Sequence, residues 1–170
     1  MAVLIIIALI IGISVSWPSV RGAPWVPTPL ATVRAMLELA DLQPDETVYD
    51  LGSGDGRLLV TAAMRFKARA VGIEIDFLRW LITQALITVL GLRGRVRVIR
   101  GDLFAADLKD ADVVMTYLTQ DTNDRLMARL ENELRPGTRV VSNTFIFSAW
   151  PAWRVSTSPE LYAYRMRGKP

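Results

Sequence analysis

Cysteine and histidine are both absent from the 170 residues. Without cysteine there is no disulfide, no thiolate nucleophile and no thiolate-bound zinc or iron–sulfur cluster. Without histidine there is no Ser–His–Asp triad, no imidazole metal ligand and no side chain that ordinarily titrates near neutral pH. A metal site is therefore not expected. Lysine is scarce too: Lys67, Lys109 and Lys169 are the only three, so arginine carries most of the net charge of +3. The densest basic group is Arg93, Arg95, Arg97 and Arg100. It reads as a solvated edge strand rather than a nucleic-acid patch, and no nucleic-acid partner is expected. Hydrophobic residues reach 51% against 22% charged, which excludes general disorder. The length suits one domain with a real core.

Charge is missing altogether from Ala2 to Trp17. Sixteen helical residues would span roughly 24 Å, a little short of a ~30 Å hydrocarbon core. Trp17 suits the membrane interface and Pro18 would stop a helix. A cleaved signal peptide is the competing reading, but no basic stretch precedes the apolar run. The expectation is a transmembrane anchor over residues 1–17. Arg21 and Arg34 follow it, so the positive-inside rule leaves a single-pass membrane protein with its catalytic domain in the cytoplasm. Residues 18–29 contain four prolines and one glycine and read as an extended linker. Residues 30–170 form the remaining domain.

That domain alternates strand and helix patterns. Helices are expected over Leu30–Ala40, Arg57–Phe66, Phe77–Leu90 and Asn123–Leu134. Strands are expected over Thr47–Leu51, Ala70–Ile75, Arg95–Arg100, Ala111–Leu118 and Thr138–Phe147. Two short segments, Trp153–Thr157 and Leu161–Met166, suggest a closing hairpin. The expected class is α/β: a doubly wound, mostly parallel seven-stranded sheet with one antiparallel strand, preceded by the N-terminal transmembrane helix. In the Phe77–Leu90 helix, periodicity puts Phe77, Leu81, Ile82 and Val89 on the buried side. Trp80 and Ile87 then fall on the outer side, as a candidate membrane contact.

The chemistry centres on Tyr49-Asp50-Leu51-Gly52-Ser53-Gly54-Asp55-Gly56-Arg57. A strand ends, a glycine-rich turn follows and a helix opens. Glycine permits close ligand approach, and a helix start offers unpaired N–H groups. Glu74 closes the second strand, twenty-two residues after Gly52, where doubly wound folds place the acid that takes ribose hydroxyls. Asp102 follows the third strand in Gly101-Asp102-Leu103-Phe104. These three acids share the carboxyl edge of one sheet, where such folds bind ligands. Arg57 stands where a dinucleotide fingerprint has its third glycine, which disfavours a pyrophosphate on the helix end.

On these residues the sequence resembles class I S-adenosylmethionine-dependent methyltransferases, whose D-x-G-x-G-x-G loop is met by Asp50, Gly52, Gly54 and Gly56. The stretches Trp25-Val26-Pro27-Thr28-Pro29, VYDLGSGDGR, VGIEID, GDLF, VVMTYL and LRPGTRVVSN are similar to a small protein lysine methyltransferase group. That group includes an archaeal lysine methyltransferase and the mitochondrial enzymes modifying the adenine nucleotide translocase and ATP synthase subunit c. The resemblance covers Trp25 to about Phe147 and implies S-adenosyl-L-methionine as cofactor. It implies that Asp50 and the Gly52, Ser53, Gly54 and Gly56 backbone hold the methionine part, with Thr28 near that end. It implies Glu74 on the ribose and Asp102 near adenine, with Phe104 flanking the ring.

Transfer from a sulfonium needs a neutral amine on the methyl and exclusion of water, and no histidine base is required. Tyr117, after the fourth strand, is the candidate to shape an amine channel, with Asn143 and Thr116 as weaker candidates. The leading expectation is a methyltransferase acting on the lysine amine of a protein partner at the cytoplasmic face of a membrane. Methylation of a small or lipid-soluble molecule and a non-catalytic cofactor-binding scaffold stay open, and a dinucleotide oxidoreductase ranks last.

Overall fold

The computed structural model describes residues 26–167. Seven strands form one sheet: β1 (Thr47–Leu51), β2 (Arg69–Glu74), β3 (Val96–Arg100), β4 (Val113–Thr116), β5 (Arg139–Asn143), β6 (Arg154–Thr157) and β7 (Glu160–Arg165). Four α-helices accompany them: α1 (Leu30–Leu39), α2 (Arg57–Arg65), α3 (Phe77–Val89) and α4 (Gln120–Glu133). The spatial order is β3-β2-β1-β4-β5-β7-β6. β1 to β5 pair in parallel, and β7 alone runs against them, antiparallel to both β5 and β6. Chain order reverses direction across the β1–β4 pair, and that switch opens a cleft at the strands' carboxyl ends.

The strand period of two sends alternate residues to opposite faces. Val48, Val98, Val113, Met115 and Val141 pack with Val33 and Leu37 of α1, Leu59 and Ala62 of α2, and Ile87 of α3. Tyr49, Leu51, Val114 and Val140 pack on the other face with Leu126 and Leu130 of α4. Three helices therefore cover one face and one helix covers the other. The rest of that second face is closed by an aromatic group. Phe147 stacks on Trp150 at 4.6 Å between ring centres, and Tyr164 meets both edge-on.

Three expectations differ in detail. Helix α4 starts at Gln120 rather than Asn123, because the Thr119 hydroxyl caps it by accepting from the Thr122 N–H at 3.4 Å. Strand β5 stops at Asn143, where Thr144 turns the chain at φ 66°. Helix α3 is rotated from its expected face. Ile87 is buried, and Trp80 is half-buried with its indole N–H donating to the Val98 carbonyl at 3.2 Å. Phe77, Leu81, Ile82 and Val89 are exposed instead. The cause is local. Arg79 and Thr83 must face the glycine-rich loop, and the Thr83 hydroxyl donates to the Gly54 carbonyl at 3.2 Å. The proposed membrane contact through Trp80 and Ile87 is thereby withdrawn.

The expected transmembrane helix and single-pass membrane location are also corrected. Among the described residues, no helix is long and apolar enough to cross a membrane. The longest, α4, has 14 residues, about 21 Å of helix against a ~30 Å hydrocarbon core. The expected anchor over residues 1–17, and residues 18–25 of the expected linker, lie outside the described residues. The membrane partner and the cytoplasmic placement rested on that anchor.

One glycine in β2 is fixed by packing rather than by backbone angle. A Cβ on Gly72 would meet Ser53 Oγ at 2.5 Å and Leu59 Cδ1 at 2.6 Å. The loop and α2 thus lie directly on the β2 backbone. Gly72→Ala is expected to cost about 1–3 kcal/mol, the usual range for an overpacked core. Urea unfolding checks this, and an unchanged midpoint would contradict the packing described.

Candidate active site

A solvent-open cleft lies above the β1–β4 switch point. Its floor is the strand-to-helix turn after β1. Gly52, Gly54 and Gly56 all adopt positive φ, at 86°, 57° and 78°, a region that L side chains rarely occupy. Two features set this path. The Gly52 and Ser53 N–H groups both donate to the Ile73 carbonyl, at 2.9 and 3.0 Å. The Gly54 N–H donates to Glu74 Oε2 at 2.7 Å. Gly56 then caps α2, and a Cβ there would stand 2.5 Å from the Thr83 methyl.

The acids of the cleft differ in environment. Asp50 is buried on β1, and its carboxyl is pushed up to about 7, by burial first and then by the negative charges of Glu74 and Asp55. Glu74, 5% exposed at the end of β2, also titrates above the usual carboxylate range because of burial. The N–H groups of Asp76 and Gly54, and the Arg79 guanidinium, oppose that rise. Asp55 goes the other way. Hydrogen bonds from Arg57 hold it below its ordinary value.

The structure gathers most of the expected site residues. Thr28, Asp50, Gly52, Ser53, Gly54, Glu74, Asp102 and Tyr117 all line the cleft. The Ser53 side chain lies against Gly72, so Ser53 offers the cleft its backbone. Asp102 caps a short 3₁₀ turn over Leu103–Ala105 by accepting from the Phe104 N–H at 2.9 Å. Three expected residues stand elsewhere. Gly56 sits beneath the loop against α3. The Phe104 ring lies under the Arg125 guanidinium at 4.4 Å, and Leu103 takes the place on the cleft wall. Asn143 is buried at the end of β5, with its side-chain carbonyl accepting from the Thr144 hydroxyl at 3.1 Å.

The cleft also contains residues that sequence reading passed over. Arg79 enters from the first turn of α3, and Val26 and Pro27 form a wall with Thr28. Arg57 was noticed only for what it displaces. Met36, Leu58, Ile73, Ile75 and Leu118 supply apolar surface. No local pattern gives these side chains a role at the site: Val26 and Pro27 are marked only by the resemblance, and they reach the cleft with Met36, Leu58 and Arg79 only through the tertiary fold.

The residues fit a nucleoside joined to an amino acid. The loop follows β1 and leads into the amino end of α2, whose dipole suits a carboxylate. Asp50 suits an ammonium, whose charge would offset the burial and the neighbouring acids that raise its pKa. Each Glu74 oxygen accepts one backbone N–H and has capacity left for a hydroxyl. Leu103 and Ile75 offer flat apolar walls for a base.

Comparison with known proteins agrees with this chemistry. Residues 50–154 match the family described as the ANTKMT methyltransferase domain. A protein-lysine N-methyltransferase of Saccharolobus islandicus is 45% identical over 132 residues, covering 77% of this chain and 82% of that protein. The adenine nucleotide translocase lysine N-methyltransferase of Mus musculus is 31% identical over 149 residues, 85% of this chain. This chain covers only 64% of the mouse protein's length. Among solved structures, an RNA methyltransferase of Salinibacter ruber with bound S-adenosyl-L-homocysteine superposes with a TM-score of 0.82 at 39% identity. That match covers 85% of this chain and 96% of the other. The chain therefore belongs to the ANTKMT methyltransferase domain family, and it is an S-adenosylmethionine-dependent methyltransferase.

Proposed function

We propose that this methyltransferase modifies the lysine amine of a protein substrate. The observation that carries the reading is one shared cleft: the Asp50–Gly54 loop and Glu74 lie on its floor, and Tyr117 stands at the end of β4 on its wall. S-adenosylmethionine supplies an electrophilic methyl when bound. Asp50 and the backbone of Gly52 to Gly54 hold the methionine end, with Thr28 beside them. Glu74 accepts from the ribose hydroxyls, and Asp102 lies toward the base. Tyr117 is half-buried, and its ring and hydroxyl guide an amine toward the methyl. No residue is assigned as a base, since a lysine amine can lose its proton to solvent before it enters. The proposed methyltransferase domain is 30–170, and Val26–Thr28 before it also line the cleft.

The names of the relatives support a lysine acceptor, in the Saccharolobus islandicus and mouse proteins alike. The name of the Salinibacter ruber neighbour points instead to RNA. The charge distribution favours protein. Arg69, Arg93, Arg95, Arg97 and Arg135 gather around a surface hollow at the amino ends of the strands, the opposite edge of the sheet from the cleft. Two of them form ion pairs within the protein: Arg95 with Asp45 at 2.9 Å, and Arg135 with Asp112 at 3.0 Å.

Two measurements test this reading. The full-length protein is incubated with radiolabelled S-adenosylmethionine and a host extract, and the products are split into protein, RNA and lipid. Label is expected in protein, mapped to lysine. Loss of the ribose and loop contacts in Glu74→Gln should lower it by at least about tenfold, as befits a buried charged acceptor. Label confined to RNA or lipid would overturn the lysine assignment.

The second measurement uses Asp50. Its folded pKa of about 7 lies above its ordinary value of 3.8. Folding therefore takes up a proton between those values. The stabilisation is fully present below about pH 4 and is lost as pH rises through 7. In the cofactor-free protein, the melting temperature of wild type should fall between pH 5 and pH 8 relative to that of Asp50→Asn. A cation held beside Asp50 reverses the effect, so the affinity for S-adenosyl-L-homocysteine should rise over the same range in wild type alone. Parallel melting curves for the two proteins would contradict the placement of Asp50.

A further inference from the structure

Arg57 occupies the first position of α2, directly after the glycine-rich loop, and its backbone N–H donates to Asp55 Oδ1 at 3.3 Å. Its side chain turns back. Nε donates to Asp55 Oδ1 at 2.9 Å, and Nη2 donates to Asp55 Oδ2 at 2.5 Å. The remaining Nη1 donates to the carbonyl of Thr28 at 2.8 Å. A guanidinium presents these donors in one rigid plane, so fixing the fork on Asp55 also fixes the direction of the third bond. The acceptor is equally constrained. Thr28 lies between Pro27 and Pro29, and the two rings limit the backbone on either side of it. Val26, Pro27 and Thr28 form a wall of the cleft, and the contact crosses 29 residues of sequence.

We propose that Arg57, set by Asp55, is a latch that holds the Val26–Thr28 segment against the glycine-rich loop as the wall retaining the cofactor. Arg57 acts here as a positioning residue, since its guanidinium is engaged by Asp55 and by the Thr28 carbonyl. The latch has a second effect. Asp55 lies near Asp50 and raises its pKa, and Arg57 neutralises that acid. Breaking the pair thus loosens the wall and leaves an uncompensated negative charge at the loop. The role rests on the cofactor site proposed above. It concerns cofactor retention rather than methyl transfer, because Arg57 acts through the wall at Thr28, whereas Tyr117 follows β4.

The absence of cysteine from the sequence makes the test simple. Val26, 53% exposed, is replaced by a single Cys carrying a nitroxide, in the full chain. Wild type, Arg57→Gln, Arg57→Lys and Asp55→Asn are compared in that background and, for affinity, without the label. Arg57→Gln is expected to weaken S-adenosyl-L-homocysteine binding by about tenfold, as for loss of charge-assisted hydrogen bonds. The KM for S-adenosylmethionine should rise by a similar factor, while kcat falls much less. The nitroxide spectrum should narrow, showing a looser segment. Arg57→Lys should recover only part of the affinity, since an ammonium lacks the planar fork. Asp55→Asn should move binding and spectrum in the same direction, and it decides the matter if Arg57→Gln fails to fold. Equal affinity and an unchanged spectrum in the folded variants would overturn the latch. Failure of the unsubstituted protein to bind S-adenosyl-L-homocysteine would instead overturn the cofactor site on which it rests.

Discussion

The Glu74 carboxylate grips two backbone N–H groups at once. Oε2 accepts from Gly54 at 2.7 Å, and Oε1 accepts from Asp76 at 2.8 Å. The first bond ties the glycine-rich loop to the end of β2. The second fixes the residue that caps α3, whose side chain accepts from the Arg79 N–H at 2.9 Å. One buried acid thereby sets where α3 begins, which face it turns inward and how the loop is shaped. An ionised carboxylate in such surroundings is costly unless its hydrogen bonds are made. The two N–H groups meet part of that cost and leave acceptor capacity for a ligand. The loop is thus held in shape by the same group proposed to bind the ribose.

The consequences run through the packing. With Gly54 pinned, its carbonyl receives the Thr83 hydroxyl from α3, and Gly56 lies so close to Thr83 that no Cβ fits. Gly72 is held bare by Ser53 and Leu59 in the same way. The loop, β2, α2 and α3 form one block whose internal spaces are filled by backbone. Opposite it, Arg57 brings in the Val26–Thr28 segment. The cleft between them combines a hydrogen-bonded floor with a wall that the Arg57 side chain ties to the loop.

These relations explain how far the sequence could be read. Strands β1 to β5 were legible because short apolar runs are bounded on at least one side by glycine, acid or proline. The loop, Glu74 and Asp102 were legible because their spacing follows from one strand, one turn and one helix. Helix α3 was legible as a helix but not in its orientation. Periodicity tells which side chains share a face, and hydrophobicity ordinarily tells which face packs. Here Thr83 and Arg79 are required inside by the loop, so four large apolar residues are left outside. Phe104 and Asn143 lie outside the cleft for similar reasons. The 3₁₀ turn capped by Asp102 directs Leu103 inward, and the turn at Thr144 ends β5 early. The part played by Arg57 depends on a carbonyl 29 residues away, which no local pattern records.

The central claim is that Glu74 shapes the loop before any cofactor arrives. Backbone amide exchange at Gly54 in the cofactor-free protein tests it most directly. Slow exchange in wild type, lost in Glu74→Ala while the β1 amides stay protected, is the predicted result. Fast exchange at Gly54 in wild type, or protection that survives the substitution, would contradict the account.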